Sequence, residues 1–306
     1  MHLAVIDLGS NTFHLLIANC NKDGIESIVY KKRIFVGLSE GGIDSISLEK
    51  IQLGLDAITD FKRKLLEFDV LRTRILGTAI LRQASNKNDF ILPTEDIMGQ
   101  NLEIINGQKE ADLIYKGICL NPKSSLGTHL VMDIGGGSTE FIIIKNGEKI
   151  WSQSYNIGVG VLYARFQKTD PISSEDKMRI KKYIIETCED LWIAIDANPC
   201  EFVTGASGSF EVLQNIEQSP LDLLDLSPFT LDAFDRVYDT IINTSYDARL
   251  QMKRLPKERA KLIVVGMILM QTVIEKVQPN ALFISQFALK EGALSEMITA
   301  AFTDSH

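Results

Sequence analysis

The sequence has no excess of basic residues, and this weakens one broad class of function. Lysine and arginine number 32 against 40 aspartates and glutamates, which gives a formal net charge of −8. A protein whose main role is to coat nucleic acid is usually basic, so we expect no nucleic-acid partner. An anionic substrate stays compatible with this charge if a local pocket of backbone amides, basic side chains and metal receives it.

Long apolar runs and cysteine pairs are also missing. The most apolar stretch, residues 262–270, is too short to cross a bilayer and is typical of a buried element. Asp7 interrupts the first apolar segment, so an ordinary signal peptide is not expected. The four cysteines show no CxxC spacing, which indicates reduced thiols rather than a zinc or redox site. We therefore expect a cytoplasmic protein without a membrane partner.

What the sequence does contain is a long-range internal repeat. Residues 3–12 read LAVIDLGSNT, and residues 130–139 read LVMDIGGGST. Each copy is an apolar strand with an aspartate near its end, Asp7 or Asp133, followed by a Gly-rich turn and a second β-rich strand. For one copy, a plain Gly-rich hairpin explains the pattern as well as a phosphate-binding turn does. Two copies in register favour the phosphate-binding interpretation.

The elements after the first copy are predicted from their apolar patterns. Strands are expected at residues 25–30, 32–37, 73–77 and 102–105, with a helix that begins after Ser47 as its N-cap. The buried face of that helix is predicted to contain Leu48, Ile51, Leu55, Ile58 and Leu65.

The second copy is followed by a parallel series. A strand is expected at residues 148–155 and another at 201–204, with a helix between them that opens on the capping box Ser173-x-x-Asp176. A further helix is expected from Thr230. The buried side of the capping-box helix is predicted to contain Ile184, Cys188, Leu191 and Ile195.

These two series predict an α/β protein of two similar domains with a cleft between them. The first domain is expected to cover residues 1–123, joined by a C-terminal helix at about 288–306, and the second to cover residues 124–287. The join is expected near residues 122–127.

The Gly-rich turns suit phosphate because glycine lets the backbone approach a ligand closely and present its N–H groups to oxygens. Asp7 and Asp133 stand at the strand ends, where a carboxylate can hold Mg²⁺ directly or through water. The predicted phosphate-binding residues of the two turns are Gly9, Ser10, Asn11, Thr12, Gly135, Gly136, Gly137 and Ser138.

Five segments together resemble the exopolyphosphatase/guanosine pentaphosphate phosphohydrolase (Ppx/GppA) family in its short two-domain form. They are DLGSNTFH (7–14), GTAILRQA (77–84), INGQKEA (105–111), DIGGGSTE (133–140) and TGASG (204–208). The resemblance runs from Leu3 to about Gly292. It implies two ribonuclease-H-like domains of the kind found in actin, sugar kinases and heat-shock ATPases, with a central cleft.

The resemblance also implies roles for individual residues. Glu110 would be the general base that activates water, Arg82 would offset charge on the phosphoryl oxygens, and Glu140 would position water or metal. The metal, Mg²⁺ or Mn²⁺, would be held by Asp7, Asp133 and Glu140. Gly205 and Gly208 would belong to a phosphate-binding glycine loop of the second domain.

Each of these residues also has an ordinary structural interpretation. Glu110 opens a helix, where a carboxylate complements the helix dipole. Arg82 and Glu140 could face solvent, and the turn at residues 205–208 could be a tight turn without a ligand. His14, which takes the place of Glu140 in the first copy, is expected to be a packed or hydrogen-bonded histidine.

The resemblance implies an exopolyphosphatase that releases terminal phosphates from inorganic polyphosphate. The alternative is removal of the 5′-phosphate from guanosine pentaphosphate, since the same turns would hold a triphosphate tail. A small-molecule kinase and a catalytically silent phosphate or nucleotide sensor are less favoured alternatives. The expected partner is therefore polyphosphate or a phosphorylated guanine nucleotide, and the sequence leaves open whether two copies form a homodimer.

Overall fold

The computed structural model describes residues 1–40, 42–121, 124, 126–206, 208–217 and 228–303. The chain divides into two compact units. The first unit comprises Met1–Leu120 and Phe287–His306, and the second comprises Asn121–Gln286. Parts of three predicted features lie outside the described residues: positions 122, 123 and 125 of the predicted join, Ser207 of the predicted glycine loop, and positions 304–306 of the predicted C-terminal helix.

In the described part of the first unit, five strands form one sheet in the order β3-β2-β1-β4-β5. Strands β1, β2 and β3 are antiparallel neighbours, whereas β4 and β5 run parallel to β1. The strands are β1 (His2–Leu8), β2 (Thr12–Asn21), β3 (Gly24–Phe35), β4 (Arg72–Gly77) and β5 (Glu103–Ile104), and the helices are α1 (Leu48–Glu67), α2 (Ala79–Gln83), α3 (Asn88–Met98), α4 (Gly107–Ile118) and α12 (Leu289–Thr303).

The described part of the second unit repeats this arrangement. Its sheet has the order β10-β9-β6-β7-β8, so that the central strand again lies between an antiparallel and a parallel neighbour. The strands are β6 (Thr128–Ile134), β7 (Thr139–Lys145), β8 (Glu148–Tyr155), β9 (Phe202–Ala206) and β10 (Ala281–Ile284), and the helices are α5 (Val159–Phe166), α6 (Ser174–Thr187), α7 (Glu189–Ala197), α8 (Gly208–Glu217), α9 (Leu231–Asn243), α10 (Tyr246–Leu250) and α11 (Ile263–Val277).

Several local predictions are confirmed by the hydrogen bonds that begin the helices. Ser47 accepts from the Lys50 amide at the start of α1, and Ser173 accepts from the Asp176 amide at the start of α6. Thr230 caps α9 in the same way. The apolar stretch at residues 262–270 lies largely in the buried helix α11. Within the described residues, no helix is both long and apolar enough to span a membrane, and the four cysteines form no disulfide bond.

Other predictions are wrong in detail. The two strands expected at residues 25–30 and 32–37 form the single strand β3, because β2 is long enough to pair along its whole length. The helix expected to run through Cys188 ends there, since the backbone of Cys188 leaves the helical region and α7 begins at the next residue. Leu48 is 80% exposed. It lies in the first turn of α1, beyond the edge of the core.

The core of the first unit lies between the sheet and helices α1 and α3. Ile6, Leu8 and Phe13 share an apolar cluster with Ile58 and other residues of these helices. Because side chains alternate along a strand, Asp7 points to the opposite face of the sheet. Helix α12 packs against that face and against α4.

Helix α12 meets α4 so closely that two glycines are required. A Cβ on Gly117 would lie 1.9 Å from the Ala288 carbonyl oxygen, and a Cβ on Gly292 would lie 1.8 Å from the Leu113 oxygen. Around this crossing, Glu296 of α12 is bound by three basic side chains. The distances to its carboxylate are 2.6 Å from Lys116, 2.7 Å from Lys109 and 2.8 Å from Arg74.

The charge of Glu296 is therefore expected to stabilise the first unit. Burial raises the pKa of this carboxyl, but the hydrogen bonds from Lys109, Lys116 and Arg74 outweigh burial and lower the pKa to about 2. A group whose pKa is lowered by folding contributes stability above its ordinary pKa of 4.5, and the contribution is lost as the pH falls towards 2.

We predict that Glu296→Gln lowers the free energy of unfolding at neutral pH by about 1–3 kcal/mol. The difference in the free energy of unfolding between the variant and wild type should become smaller as the pH falls from 4.5 towards 2. Urea denaturation at several pH values measures it. The matched control is Glu103→Gln, which removes an exposed partner of Arg74 and should cost below about 1 kcal/mol. An equal loss in Glu296→Gln at neutral and acidic pH would contradict this account.

Candidate phosphate-binding loops and acidic residues

The repeated sequence forms the same turn in both units. The Gly9 amide donates to the Thr12 carbonyl at 3.2 Å, and the Gly135 amide donates to the Ser138 carbonyl at 2.9 Å. A Cβ on either glycine would lie 2.9–3.0 Å from the oxygen that its own amide binds. Both positions therefore favour glycine because the turn folds back closely on itself.

The carbonyl groups of the first turn are held by the segment that follows β3. The amides of Val36 and Gly37 both donate to the Asn11 oxygen at 2.9 Å, and the Ser39 amide donates to the Ser10 oxygen at 3.0 Å. The Ser39 hydroxyl also donates to Oδ1 of Asn11 at 2.8 Å. We call residues 36–39 the first clamp.

An equivalent segment follows β8 and holds the second turn. The amides of residues 158–160 donate in order to the carbonyls of Gly137, Gly135 and Gly136, at 3.2, 3.0 and 2.8 Å. A Cβ on Gly158 would lie 2.5 Å from the Gly136 carbonyl group. We call residues 157–160 the second clamp.

The clamps decide which backbone groups of the turns face a ligand. They bind the carbonyl oxygens of Ser10 and Asn11 in one turn and of Gly136 and Gly137 in the other. Within the described residues, the amide groups of these same four positions have no protein acceptor, and the buried Ser10 hydroxyl has no hydrogen-bond partner. Backbone N–H groups presented in this way form an anion-binding surface.

The clamps are segments of the candidate site that the sequence interpretation missed, although a signal for them exists. Residues 36–39 read VGLS and directly follow β3, and residues 157–160 read IGVG and are separated from the end of β8 by one residue. The shared pattern is an apolar residue, glycine, an apolar residue and a small residue. Extending the comparison of the two repeats past their third strands would have identified it.

The acidic residues lie beside these turns on equivalent positions of the two sheets. Asp7 pairs with His14 across β1 and β2, and Asp133 pairs with Glu140 across β6 and β7. Directly paired residues of antiparallel strands point to the same face, with Cβ atoms about 5 Å apart. Glu140 is buried, and its Oε1 accepts from the Ser154 hydroxyl at 2.7 Å. Glu140 is therefore not the solvent-facing side chain that its alternating strand allowed.

These carboxylates fit a divalent cation that keeps most of its water. Burial raises the pKa of Asp7 to about 6, while Lys290 acts to lower it and Glu291 to raise it. A cation at Asp7 would supply the charge compensation that burial removes. Among the described residues, no three His, Cys, Asp or Glu side chains form a metal-binding group. Mg²⁺ does not need such a group, because it usually takes one or two carboxylates together with waters and substrate phosphates.

The two predicted catalytic residues of the first unit form an ion pair. Arg82, at the end of α2, donates to Oε2 of Glu110 at 2.7 Å and to the Ile105 carbonyl at 2.9 Å. Glu110 is buried in the first turn of α4, and the Asn106 side chain caps that helix by accepting from the Lys109 amide at 2.8 Å. Glu110 is therefore not a solvent-exposed carboxylate that serves only the helix dipole, and its chemical role stays a prediction.

The predicted glycine loop at residues 204–208 is explained in part by packing. A Cβ on Gly205 would lie 2.0 Å from the Phe210 ring, and a Cβ on Gly208 would lie 1.9 Å from the Arg259 guanidinium. Gly205 belongs to β9, and its carbonyl accepts from the Ser285 amide at 2.8 Å. Phosphate binding by Gly205 and Gly208 stays a prediction.

Comparison with known proteins places this geometry in a family. The family model described as Ppx/GppA phosphatase matches residues 18–301. The chain belongs to the Ppx/GppA phosphatase family. The match agrees with the resemblance that the loop motifs carry.

Individual relatives agree with this assignment. A protein of Pseudoalteromonas translucida named guanosine-5′-triphosphate,3′-diphosphate pyrophosphatase is 32% identical over 300 residues, which cover 96% of this chain. The chain spans only 59% of the length of that curated relative. The crystal structure of an exopolyphosphatase from Cytophaga hutchinsonii superposes with a TM-score of 0.92 and 31% identity, and the match covers 98% of both chains.

A structure of the Aquifex aeolicus Ppx/GppA family member also matches, with a TM-score of 0.79 and 23% identity over 100% of this chain and 99% of the other. It supports the fold. With the Cytophaga hutchinsonii structure, it confirms the predicted α/β architecture of two actin-like domains.

Substitution of Gly158 tests whether the second clamp shapes the turn. We predict that Gly158→Ala weakens binding of tripolyphosphate by about tenfold or more, because the new methyl group displaces the Gly136 backbone. Binding is measured by isothermal titration calorimetry.

The matched control is Gly266→Ala in α11, where a Cβ would touch the Val159 side chain of the second clamp at an ordinary 3.4 Å and would meet side-chain atoms only, so that no backbone of the clamp or turn is displaced. This variant should bind tripolyphosphate as wild type does. Wild-type affinity in Gly158→Ala would show that the clamp does not shape the anion-binding surface.

Proposed function

We propose that this protein hydrolyses the terminal phosphoric anhydride bond of inorganic polyphosphate and releases orthophosphate. The observation that carries the proposal is the ion pair of Arg82 and buried Glu110. It occurs in a member of the Ppx/GppA phosphatase family, and both Gly-rich turns of this protein present backbone amides. Hydrolysis needs a base for water and donors for the phosphoryl oxygens, and these residues supply both.

In the first unit, Arg82 holds Oε2 of Glu110, so that the orientation of the carboxylate is fixed before water arrives. We assign to the Glu110 carboxylate the acceptance of the proton from the attacking water. The guanidinium of Arg82 has further donors, which are suited to the charge that develops on the equatorial phosphoryl oxygens. The amides of Ser10 and Asn11 and the Ser10 hydroxyl would bind substrate oxygens.

In the second unit, the amides of Gly136 and Gly137 would bind phosphoryl oxygens, and the Ser138 hydroxyl would add a donor. Asp133 and Glu140 would hold Mg²⁺ or Mn²⁺, with Asp7 as the corresponding carboxylate of the first unit. The metal, when bound, neutralises phosphate charge. Ser154 holds Glu140 in place through its hydroxyl, at 2.7 Å from Oε1.

Polyphosphate is favoured as substrate because the solved structure named exopolyphosphatase is 31% identical to this chain and superposes with a TM-score of 0.92. The Pseudoalteromonas translucida relative is named for a guanosine nucleotide instead. Removal of the 5′-phosphate of guanosine pentaphosphate is the second candidate, because that relative is 32% identical. Either substrate offers a terminal phosphoryl group to the same residues.

The experiment is to incubate the purified protein with Mg²⁺ and one substrate at a time and to measure free phosphate. The substrates are polyphosphate, guanosine pentaphosphate, and ATP with a panel of sugars. We expect release of free orthophosphate from polyphosphate. Phosphate from guanosine pentaphosphate only would select the second candidate, phosphorylated sugar would indicate a kinase, and inactivity on all substrates would indicate a silent sensor.

Glu110→Gln tests the assigned base. This substitution keeps the shape of the side chain and removes its ability to accept a proton, so kcat should fall by about 10²–10⁴-fold. The matched control is Asp112→Asn on the same helix, where the half-buried carboxylate accepts from Gln108. That variant should keep wild-type turnover. Substantial turnover by Glu110→Gln would remove Glu110 from the role of base.

A further inference from the structure

Strand β3 carries basic side chains on the face of the sheet that contains Asp7. His14 pairs with Asp7 on one side and with Arg33 on the other, so the three residues form a row across β1, β2 and β3. Lys31 lies two residues before Arg33 and therefore points to the same face. In the second unit the equivalent row is Asp133, Glu140 and Ser154, in which Ser154 contacts its neighbour directly.

Lys32 lies between these two residues and points to the opposite face. There its Nζ lies 2.5 Å from the Asp60 carboxylate of α1. The three consecutive basic residues are thus divided by strand alternation. Lys31 and Arg33 lie on the Asp7 face, and Lys32 is bound to a helix on the other.

The ion pair of Lys31 with the Glu291 carboxylate is a long one. The Lys31 Nζ lies 3.8 Å from Oε1 of Glu291, beyond hydrogen-bond distance, and its side chain is 42% exposed. By contrast, the lysines that bind Glu296 lie within 2.6–2.7 Å of it. Lys31 therefore presents its charge partly to solvent, beside the buried Glu291 that acts electrostatically on Asp7.

We propose that Lys31 and Arg33 form a subsite for the phosphates of the substrate that lie beyond those bound by the first turn. Alternate residues of a strand are about 7 Å apart, so the two cations follow the strand away from the turn and contact separate parts of one extended polyanion. This inference rests on the proposed function and adds a binding determinant for chain length. The competing explanation is that these cations only protect an edge strand from pairing with other chains.

Kinetics with long-chain polyphosphate and with tripolyphosphate distinguish the two explanations. Lys31→Met and Arg33→Gln should each raise KM for long-chain polyphosphate by about threefold to tenfold, with kcat unchanged. KM for tripolyphosphate should change by less than about twofold, because this short chain has few phosphates beyond those bound by the first turn. The rise of KM with salt should also be weaker in the double variant, because fewer screened ion pairs are formed.

The matched control is Lys32→Met, which removes the same charge from the same strand on the opposite face. Its KM for long-chain polyphosphate should equal that of wild type. An equal rise in Lys32→Met, or no rise in the Lys31→Met and Arg33→Gln variants, would overturn the subsite. If Lys31→Met fails to fold because Glu291 loses its neighbour, Arg33→Gln carries the same test.

A binding measurement separates this proposal from the proposed function. Binding of end-labelled long-chain polyphosphate is compared in Glu110→Gln and in Glu110→Gln with Lys31→Met and Arg33→Gln added. Failure of the wild-type protein to release phosphate from polyphosphate would refute the proposed function. Equal affinity of the two variants for the labelled chain would refute the subsite, whatever the turnover.

Discussion

The hydrogen bonds between each clamp and the carbonyl groups of its turn are the interaction on which the rest of the site depends. A carbonyl of Ser10 or Gly136 that turned towards a ligand would repel phosphate oxygens. The amides of residues 36, 37, 39 and 158–160 hold the carbonyls of the turns in the protein. A candidate anion-binding surface therefore results from backbone geometry fixed before any ligand arrives, which is how a protein with a net charge of −8 would receive a polyanion.

The duplicated architecture explains why each unit has such a surface. In both sheets the penultimate residue of the central strand is an aspartate, and the turn closes through one amide–carbonyl bond between residues three apart. The segment after the third strand then returns to clamp the turn. The units then differ in the side chain paired with the aspartate. His14 followed by Arg33 gives the first unit a basic row, whereas Glu140 followed by Ser154 gives the second an acidic and polar one.

The sequence predicts the parts of this arrangement that are local. Strand alternation, the caps Ser47 and Ser173, and the Gly-rich turns depend on residues near one another in the chain. Sequence patterns do not predict the features that depend on contacts between distant segments of the chain. The pairing of Arg82 with Glu110 and the close crossing at Gly117 and Gly292 depend on tertiary contacts. The end of α6 at Cys188 is also undetectable from periodicity, because the buried pattern continues into α7.

The most direct test of the account is an amide-resolved NMR titration of the Glu110→Gln variant with tripolyphosphate in the presence of Mg²⁺. The account predicts that the amide resonances of Ser10, Asn11, Gly136 and Gly137 shift on saturation, while those of Val36 and Gly160, which are bound to carbonyls, change little. Saturable binding that leaves these four amides unshifted would contradict it, because the phosphates would then lie elsewhere on the protein.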